Sequence, residues 1–410
     1  MAAIKQTMAK FAFVVPPFSG HVNPTLSLGA ALLQQGHAVA WISLDESLQE
    51  RLPAGGELLP VRYEELDEKK KANQEYLQLI SSKNVYGIES VKFLYEDVLI
   101  PLNRYMYDGI VHQLQHYQPD VVINDHQLFS GAIAAWNLQL PYATSVTAPA
   151  ALKVMEDLPK IHEWELRQIV GLQQELGIAG EKSIVCSEQM TLVMTTREFF
   201  GGSAPAPYFR FIGPVIQNRR QAGGFDWDAF HAMGNRPRVL VSIGTTFEHS
   251  HKKDFFSKVT EALGNQPVSV IVVSDPGLFE QWPANFLVQA RVPQLELLPH
   301  LDAVICHGGH NTVCETLSHG LPLVVIPIAY DQSYVAGRVV QVESGVRLNF
   351  KRFKAAHLSD AVEQVLHNPA YREAAQRMQQ SFAQAGGAAE AARLLETLVA
   401  AKKNKNSLVV

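Results

Sequence analysis

Cysteine is scarce. Cys186, Cys306 and Cys314 are the only three in 410 residues, and no two stand in a C-x-x-C pair, which excludes a disulfide framework or zinc ribbon and points to a reducing compartment. An excess of one charge is missing as well: 35 Lys and Arg stand against 40 Asp and Glu, a formal charge of −5 in a chain only 18% charged, so no basic surface for a nucleic acid is signalled. No apolar run reaches the roughly 18–20 residues of a membrane span. Leu321 to Tyr330 is among the longest, and Phe11 to Val15, ended by Pro16-Pro17, is too short for a secretory signal. These absences predict a cytoplasmic protein with no transmembrane segment, for which peripheral membrane contact stays open. G-x-G-x-x-G, G-x-x-x-x-G-K-[ST] and G-x-S-x-G are also absent, which removes the dinucleotide fingerprint and the P-loop and weakens an α/β-hydrolase reading.

The chain is 47% hydrophobic, enough for two or three domains each to bury a core. Phe11 to Val15 is a β-rich run without alternation, the pattern of a strand buried on both faces of a parallel sheet. After a loop carrying His21 and ending at Pro24, Leu26, Leu28, Ala31, Leu32 and Leu33 have helical spacing up to Gly36, and Ala38 to Ser43 is a second strand. Asp120 to Asp125 and Tyr142 to Val146 continue the alternation, with a helix around Gly131 to Asn137 between them. From 73 to 116 aromatic and aliphatic residues crowd helical patterns, read either as core helices or as the lining of an apolar pocket. A stretch rich in charge and Gly, 214–236, reads as a linker, after which Arg238–Ile243, Ser269–Val273, Ala303–Cys306 and Leu323–Ile326 restart the rhythm. The prediction is an α/β protein of two Rossmann-like, doubly wound parallel-sheet domains facing across a cleft, 1–213 and 237–383. A helix at 384–402, able to return to the first domain, and a flexible tail at 403–410 complete it. Ligands of such sheets bind at the C-terminal strand ends.

The junction Cys306-His307-Gly308-Gly309-His310-Asn311-Thr312 runs from buried strand to helix. Free N–H groups at such a helix start favour a phosphate, with His307, Asn311 and Thr312 as added donors. His307, His310, His319, Cys306 and Cys314 match no zinc spacing, so no metal is expected there. His21, in the loop after the first strand, has an ordinary pKa suited to taking a proton from a hydroxyl. Asp125, at the end of another strand, is placed either to orient that imidazole or to cap the helix that follows. Its neighbour His126 is expected to point elsewhere.

Together, Val292-Pro293-Gln294, His307 to Thr312, Glu315, His319-Gly320-Leu321-Pro322, Pro327 and Asp331-Gln332 resemble the nucleotide-sugar signature of UDP-dependent family-one glycosyltransferases, and Ser19 to Pro24 resembles their N-terminal motif. The bacterial macrolide, flavonoid and zeaxanthin-type glucosyltransferases are the most similar branches. The resemblance implies a GT-B fold, UDP-glucose or a related nucleotide sugar as co-substrate, and a lipophilic hydroxylated acceptor. It implies His21 as general base with Asp125 as partner. It also implies His307, Gly309, Asn311, Thr312 and Thr245 or Thr246 at the diphosphate, Glu315 at the ribose, Val292 and Gln294 near the uracil, and Asp331 and Gln332 at the sugar. Arg291 stands where plant members stack a Trp on the base, which keeps TDP-sugars in play, and His310 also departs from the plant Trp. The acceptor side is expected to include parts of 86–110, Met155, Trp164 and Leu166. Asp226-Trp227-Asp228, the one Asp-x-Asp pattern weighed for a metal, falls in the linker, so transfer is expected to be inverting and to need no metal or other cofactor. A UDP-sugar 2-epimerase and a non-catalytic nucleotide-sugar-binding protein are the alternatives.

Overall fold

The computed structural model describes residues 8–61, 88–153, 158–202, 204–216, 224–244 and 249–407. Its N-terminal sheet has seven parallel strands: β1 (Lys10–Val14), β2 (Ala38–Ser43), β3 (Glu57–Pro60), β4 (Val121–Asp125), β5 (Tyr142–Val146), β6 (Thr191–Val193) and β7 (Phe209–Phe211), in the order β3-β2-β1-β4-β5-β6-β7. The C-terminal sheet has six: β8 (Arg238–Ser242), β9 (Ser269–Val273), β10 (Phe286–Gln289), β11 (Ala303–Cys306), β12 (Leu323–Val325) and β13 (Gly345–Arg347), in the order β10-β9-β8-β11-β12-β13. In each the strand order reverses beside the first strand, between β1 and β4 and between β8 and β11. Those reversals open a crevice at the strand ends.

Continuous apolar runs become central strands because both faces are covered. Phe11 and Phe13 of β1 pack with Trp41, Leu28 and Leu32 on one side, while Ala12 and Val14 pack with Ile42, Leu102, Met106 and Ile110 on the other. Among the covering helices are α1 (Ser19–Gln34), α2 (Ile100–Tyr117), α3 (Phe129–Asn137) and α4 (Pro159–Glu175) in the first half, then α5 (His310–Ser318), α6 (Gln332–Gln341), α7 (Pro369–Gln384) and α8 (Gly387–Ser407), while helices His249–Leu263 and Ala355–His367 cover the other face of the C-terminal sheet. α8 lies on the N-terminal domain: Ala391, Ala392, Leu395 and Val399 enter the same core as Phe11 and Trp41, and Glu396 reaches His37 at 2.9 Å.

Three expectations need correction. Helix α1 starts at Ser19, so His21 stands in its first turn rather than in a loop, and Pro24 lies inside the helix. As the sixth residue of the helix Pro24 cannot donate to the carbonyl of Gly20, and that oxygen instead accepts from Asn311 Nδ2 at 3.0 Å. The second half of the expected linker is ordered into the C-terminal domain: Asp226 caps a short helix, Trp227–Ala232, by accepting from the Ala229 N–H at 2.8 Å, and Phe230 is buried in the core. Finally α8 runs on through Ser407, where a tail from 403 was expected, because neither Gly nor Pro interrupts 388–407.

Candidate active site

At the N-terminal switch point, the chain leaving β1 turns at Pro16 to Phe18 and enters α1, which carries the His21 imidazole over the ends of β4 and β5. Asp125 is the last residue of β4 and fully buried. His21 Nδ1 lies 3.0 Å from Asp125 Oδ1, and the Thr147 hydroxyl, just beyond β5, lies 2.8 Å from His21 Nδ1 and donates to Asp125 Oδ2 at 3.1 Å. Asp125 Oδ1 also accepts the Gln127 N–H at 2.9 Å. The alternative role for Asp125 is not realised, because α3 is preceded by Leu128 with no side-chain cap. Burial alone would lower the His21 pKa, but the Asp125 carboxylate, helped by Asp331, holds it above its ordinary value. Burial likewise opposes ionisation of Asp125, and His21 and His126 overcome it, keeping the carboxyl well below the usual range. The dyad thus holds the proton of His21 on the nitrogen facing Asp125 and leaves Nε2 to the cleft.

His126 does not point elsewhere. The strand ends at Asp125 and the chain turns, so the alternation of a strand no longer applies. The His126 ring stacks on His21 with centroids 5.5 Å apart and sets Nδ1 3.4 Å from Asp125 Oδ1. Neither of its buried ring nitrogens has a hydrogen-bond partner. Thr147 and His126 are the two site residues that sequence reading did not assign; the signal for Thr147 is its place at the end of a central strand.

At the C-terminal switch point β11 gives way to His307-Gly308-Gly309 and then α5. Gly308 has φ +90°, and a Cβ there would sit 2.8 Å from Val325 Cγ1 and 3.1 Å from the Gln332 carbonyl oxygen. Gly244, after β8, has φ +75° and lies against the His307 ring, where a Cβ would be 2.8 Å from Cε1. The loop therefore needs glycine on both sides of the histidine. Burial pushes His307 down to about 4, against the bond its ring donates to the Ser242 backbone, and its buried Nδ1 has no partner among the described residues. The N-terminus of α5 at Gly309 carries no side-chain cap, so its first N–H groups remain for an anion.

The remaining predicted residues divide. Gln294 donates to Glu315 Oε2 at 2.6 Å, so the two nucleoside-side residues meet. Asn311 Nδ2 crosses to the other domain and donates to the Gly20 carbonyl at 3.0 Å. Thr312 is half-buried on the first turn of α5 and Arg291 is exposed, while the Val292 side chain belongs to the core. His310 turns away from the loop: its Nε2 lies 3.1 Å from the Met194 carbonyl and 3.4 Å from Cys314 Sγ, and burial pushes it down to about 4. Gln332 uses Oε1 to accept the N–H groups of Ile328 and Ala329 at 2.8 and 3.0 Å, fixing the loop before α6. Asp331 stands at the α6 start without capping it; burial raises its pKa against the pull of its own backbone and of His21 and His126. Thr245, Thr246 and Met155 lie outside the described residues. On the acceptor side Phe18, Phe129 and Tyr95 join one apolar cluster, and Trp164 sets its edge on Tyr95 at 5.6 Å.

Two α/β domains, one with the His21–Asp125 pair at its switch point and the other with an uncapped helix start at its own, have the architecture of GT-B glycosyltransferases. The solved glycotransferase of kitacinnamycin has the same fold, with a TM-score of 0.74 at 23% identity over 96% of this chain and 99% of its own. The model of the family described as UDP-glucoronosyl and UDP-glucosyl transferase matches residues 183–383. The chain is similar along most of its length to NDP-glycosyltransferase YjiC of Bacillus subtilis (strain 168), 29% identical over 93% of this chain and 95% of the relative. It is also similar to demethyllactenocin mycarosyltransferase of Streptomyces fradiae, 28% identical over 96% and 87%. The protein is thus a family-one glycosyltransferase, which transfers a sugar from a nucleotide sugar.

Proposed function

We propose that the enzyme moves a hexose, glucose first among the candidates, from a UDP-sugar to a hydroxyl of a lipophilic small molecule, with inversion and without a metal. The acceptor class is that of flavonoids, polyketides, sterols or carotenoids. The observation that carries this reading is the His21–Asp125–Thr147 constellation, 3.0 and 2.8 Å between partners, set across one cleft from the uncapped α5 N-terminus. In it His21 Nε2 takes the proton of the acceptor hydroxyl as that oxygen attacks the anomeric carbon from the face opposite the leaving UDP, through an oxocarbenium-like state. Asp125 stabilises the imidazolium. Charge growing on the diphosphate falls to the α5 N–H groups and to Asn311 and Thr312, donors aimed in advance at the leaving group, with His307 packed beneath the loop that presents them. Glu315 and Gln294 hold the ribose and base side, and Asp331 faces the sugar hydroxyls. The apolar cluster around Phe18, Tyr95 and Phe129 supports the lipophilic acceptor, and exposed Arg291 supports tolerance of a thymidine donor.

The test is transfer by purified protein with EDTA present, UDP-glucose against TDP-glucose, over flavonoid, macrolide, sterol and carotenoid acceptors, reading nucleotide release and product mass together. One hexose of added mass is expected. Interconversion of the UDP-sugar without acceptor would favour the epimerase instead. His21→Ala is expected to lower turnover about a thousandfold while the thermal shift given by UDP is kept; a variant retaining most of its turnover removes His21 as the base.

A further inference from the structure

His126 is the unexplained group of the cleft. Its backbone N–H donates to the Ser145 carbonyl at 3.0 Å, and the ring is buried to 6% exposure with neither nitrogen in a well-formed hydrogen bond among the described residues. An imidazole buried in this way exchanges its hydration for one long contact, 3.4 Å from Nδ1 to Asp125 Oδ1, a cost that a ligand would offset. What surrounds it is a donor set. One nitrogen of His21, one nitrogen of His126 and one oxygen of Asp125 all lie within 4.8 Å of one another. The two pairs that share Asp125 Oδ1 measure 3.0 Å to His21 Nδ1 and 3.4 Å to His126 Nδ1. Bonds of about 2.0–2.1 Å at a tetrahedral angle set neighbouring donors about 3.3 Å apart, so these separations are those of a zinc-type site.

We propose that His21, Asp125 and His126 form a binding site for a borderline divalent cation such as Zn²⁺, with a fourth position open to water from the cleft, and that occupancy switches the enzyme off. Two imidazoles and one carboxylate favour Zn²⁺ over Mg²⁺ or Ca²⁺, which prefer all-oxygen shells. The inhibition follows from the tautomer. Zn²⁺ takes the Nδ1 lone pair of His21, and the single proton of the neutral imidazole, formerly shared with Asp125, is moved through solvent to Nε2. That nitrogen then has no lone pair with which to accept the acceptor's proton. The inhibitory half of the proposal rests on His21 being the base; the binding half does not. Nor does the site conflict with metal-free catalysis, since the cation opposes the reaction.

The experiment uses tag-free full-length protein, with Zn²⁺ titrated calorimetrically and Co²⁺ titrated by absorption, each alongside transfer assays in buffered free Zn²⁺. One equivalent of Zn²⁺ is expected to bind. The Co²⁺ spectrum should be tetrahedral and lack thiolate charge-transfer bands, which separates this site from Cys186, Cys306 and Cys314. Turnover should fall about a hundredfold on saturation and return with EDTA. His126→Phe keeps a ring against His21 but no ligand, and should raise the half-inhibiting Zn²⁺ concentration at least tenfold, roughly the scale on which metal sites respond to altered shells. Should that variant not fold, the wild-type Co²⁺ spectrum carries the test. No binding at the cleft, or equal binding by His126→Phe, overturns the site and leaves the glycosyltransfer reading intact. Binding that depends on His126 but spares turnover confirms the site and overturns both the inhibition and the role of His21.

Discussion

Asp125 has two carboxylate oxygens and four neighbours: His21 and the Gln127 N–H on Oδ1, Thr147 on Oδ2, and His126 at 3.4 Å. So many favourable partners explain why a fully buried carboxyl stays ionised, and they make the conservative change informative. Asp125→Asn should keep the fold but leave His21 facing an amide that neither fixes its tautomer nor stabilises its cation, lowering turnover about a hundredfold with little change in UDP affinity; kinetics of the variant with a UDP titration check this. Gly308 is sensitive for a different reason. Alanine there must adopt φ +90° and place its methyl 2.8 Å from Val325, so Gly308→Ala should cost about 2–4 kcal/mol in denaturant melts and weaken UDP binding. His21, Asp125, Gln294 and Glu315 were legible in the sequence, as residues at strand ends or within a spaced motif. His126 was not, since the alternation that aims it away stops with the strand, and neither was the turning of His310 toward Met194, a contact made across domains.

Elements were legible where burial is two-sided. β2, β5, β9 and β11 fall where the apolar runs lie, whereas β3, β6, β7, β10 and β13, strands of three or four residues toward the sheet flanks, carry too little pattern to announce themselves. The early start of α1 was hidden by Pro24, a residue that reads as a helix boundary but is accommodated in the second turn because Asn311 donates to the Gly20 carbonyl it leaves free. α8 shows how much an element can depend on a distant partner. Its residues Ala391, Ala392, Leu395 and Val399 are buried with α1 and β1, some 360 residues earlier by the 359-residue separation of His37 and Glu396. Leu395→Ala, at a fully buried position, should therefore destabilise the N-terminal domain by about 2–5 kcal/mol, measured as a lower denaturation midpoint and as faster amide exchange in α1 and β1.

Across the whole molecule, the two domains share contacts that respond to pH. His310 is buried at the interface with its pKa pushed down to about 4 from 6.5, so between those values the unfolded chain binds a proton the folded one refuses. Stability is accordingly full above pH 6.5 and falls as pH drops toward 4, by on the order of 3 kcal/mol for this group. Thermal melts from pH 7 to 4.5 should show the fall, and His310→Gln should make it shallower while leaving the share of His307, which is also pushed down to about 4; an unchanged slope would assign the acid sensitivity to other groups. Asn311 makes another contact between the domains, and its partner exists because of a proline. Pro24 has no N–H to give the carbonyl four residues before it, so Gly20 is left with an unclaimed acceptor, and the Asn311 amide of the opposite domain fills it at 3.0 Å. With Asn311 among the proposed diphosphate ligands, this one amide is sought by two oxygens, one of the protein and one of the substrate. On the proposed roles the helix carrying His21 is a placeholder for the leaving group: donor entry is expected to draw the amide away, and departure of the spent nucleotide to return it to the waiting carbonyl.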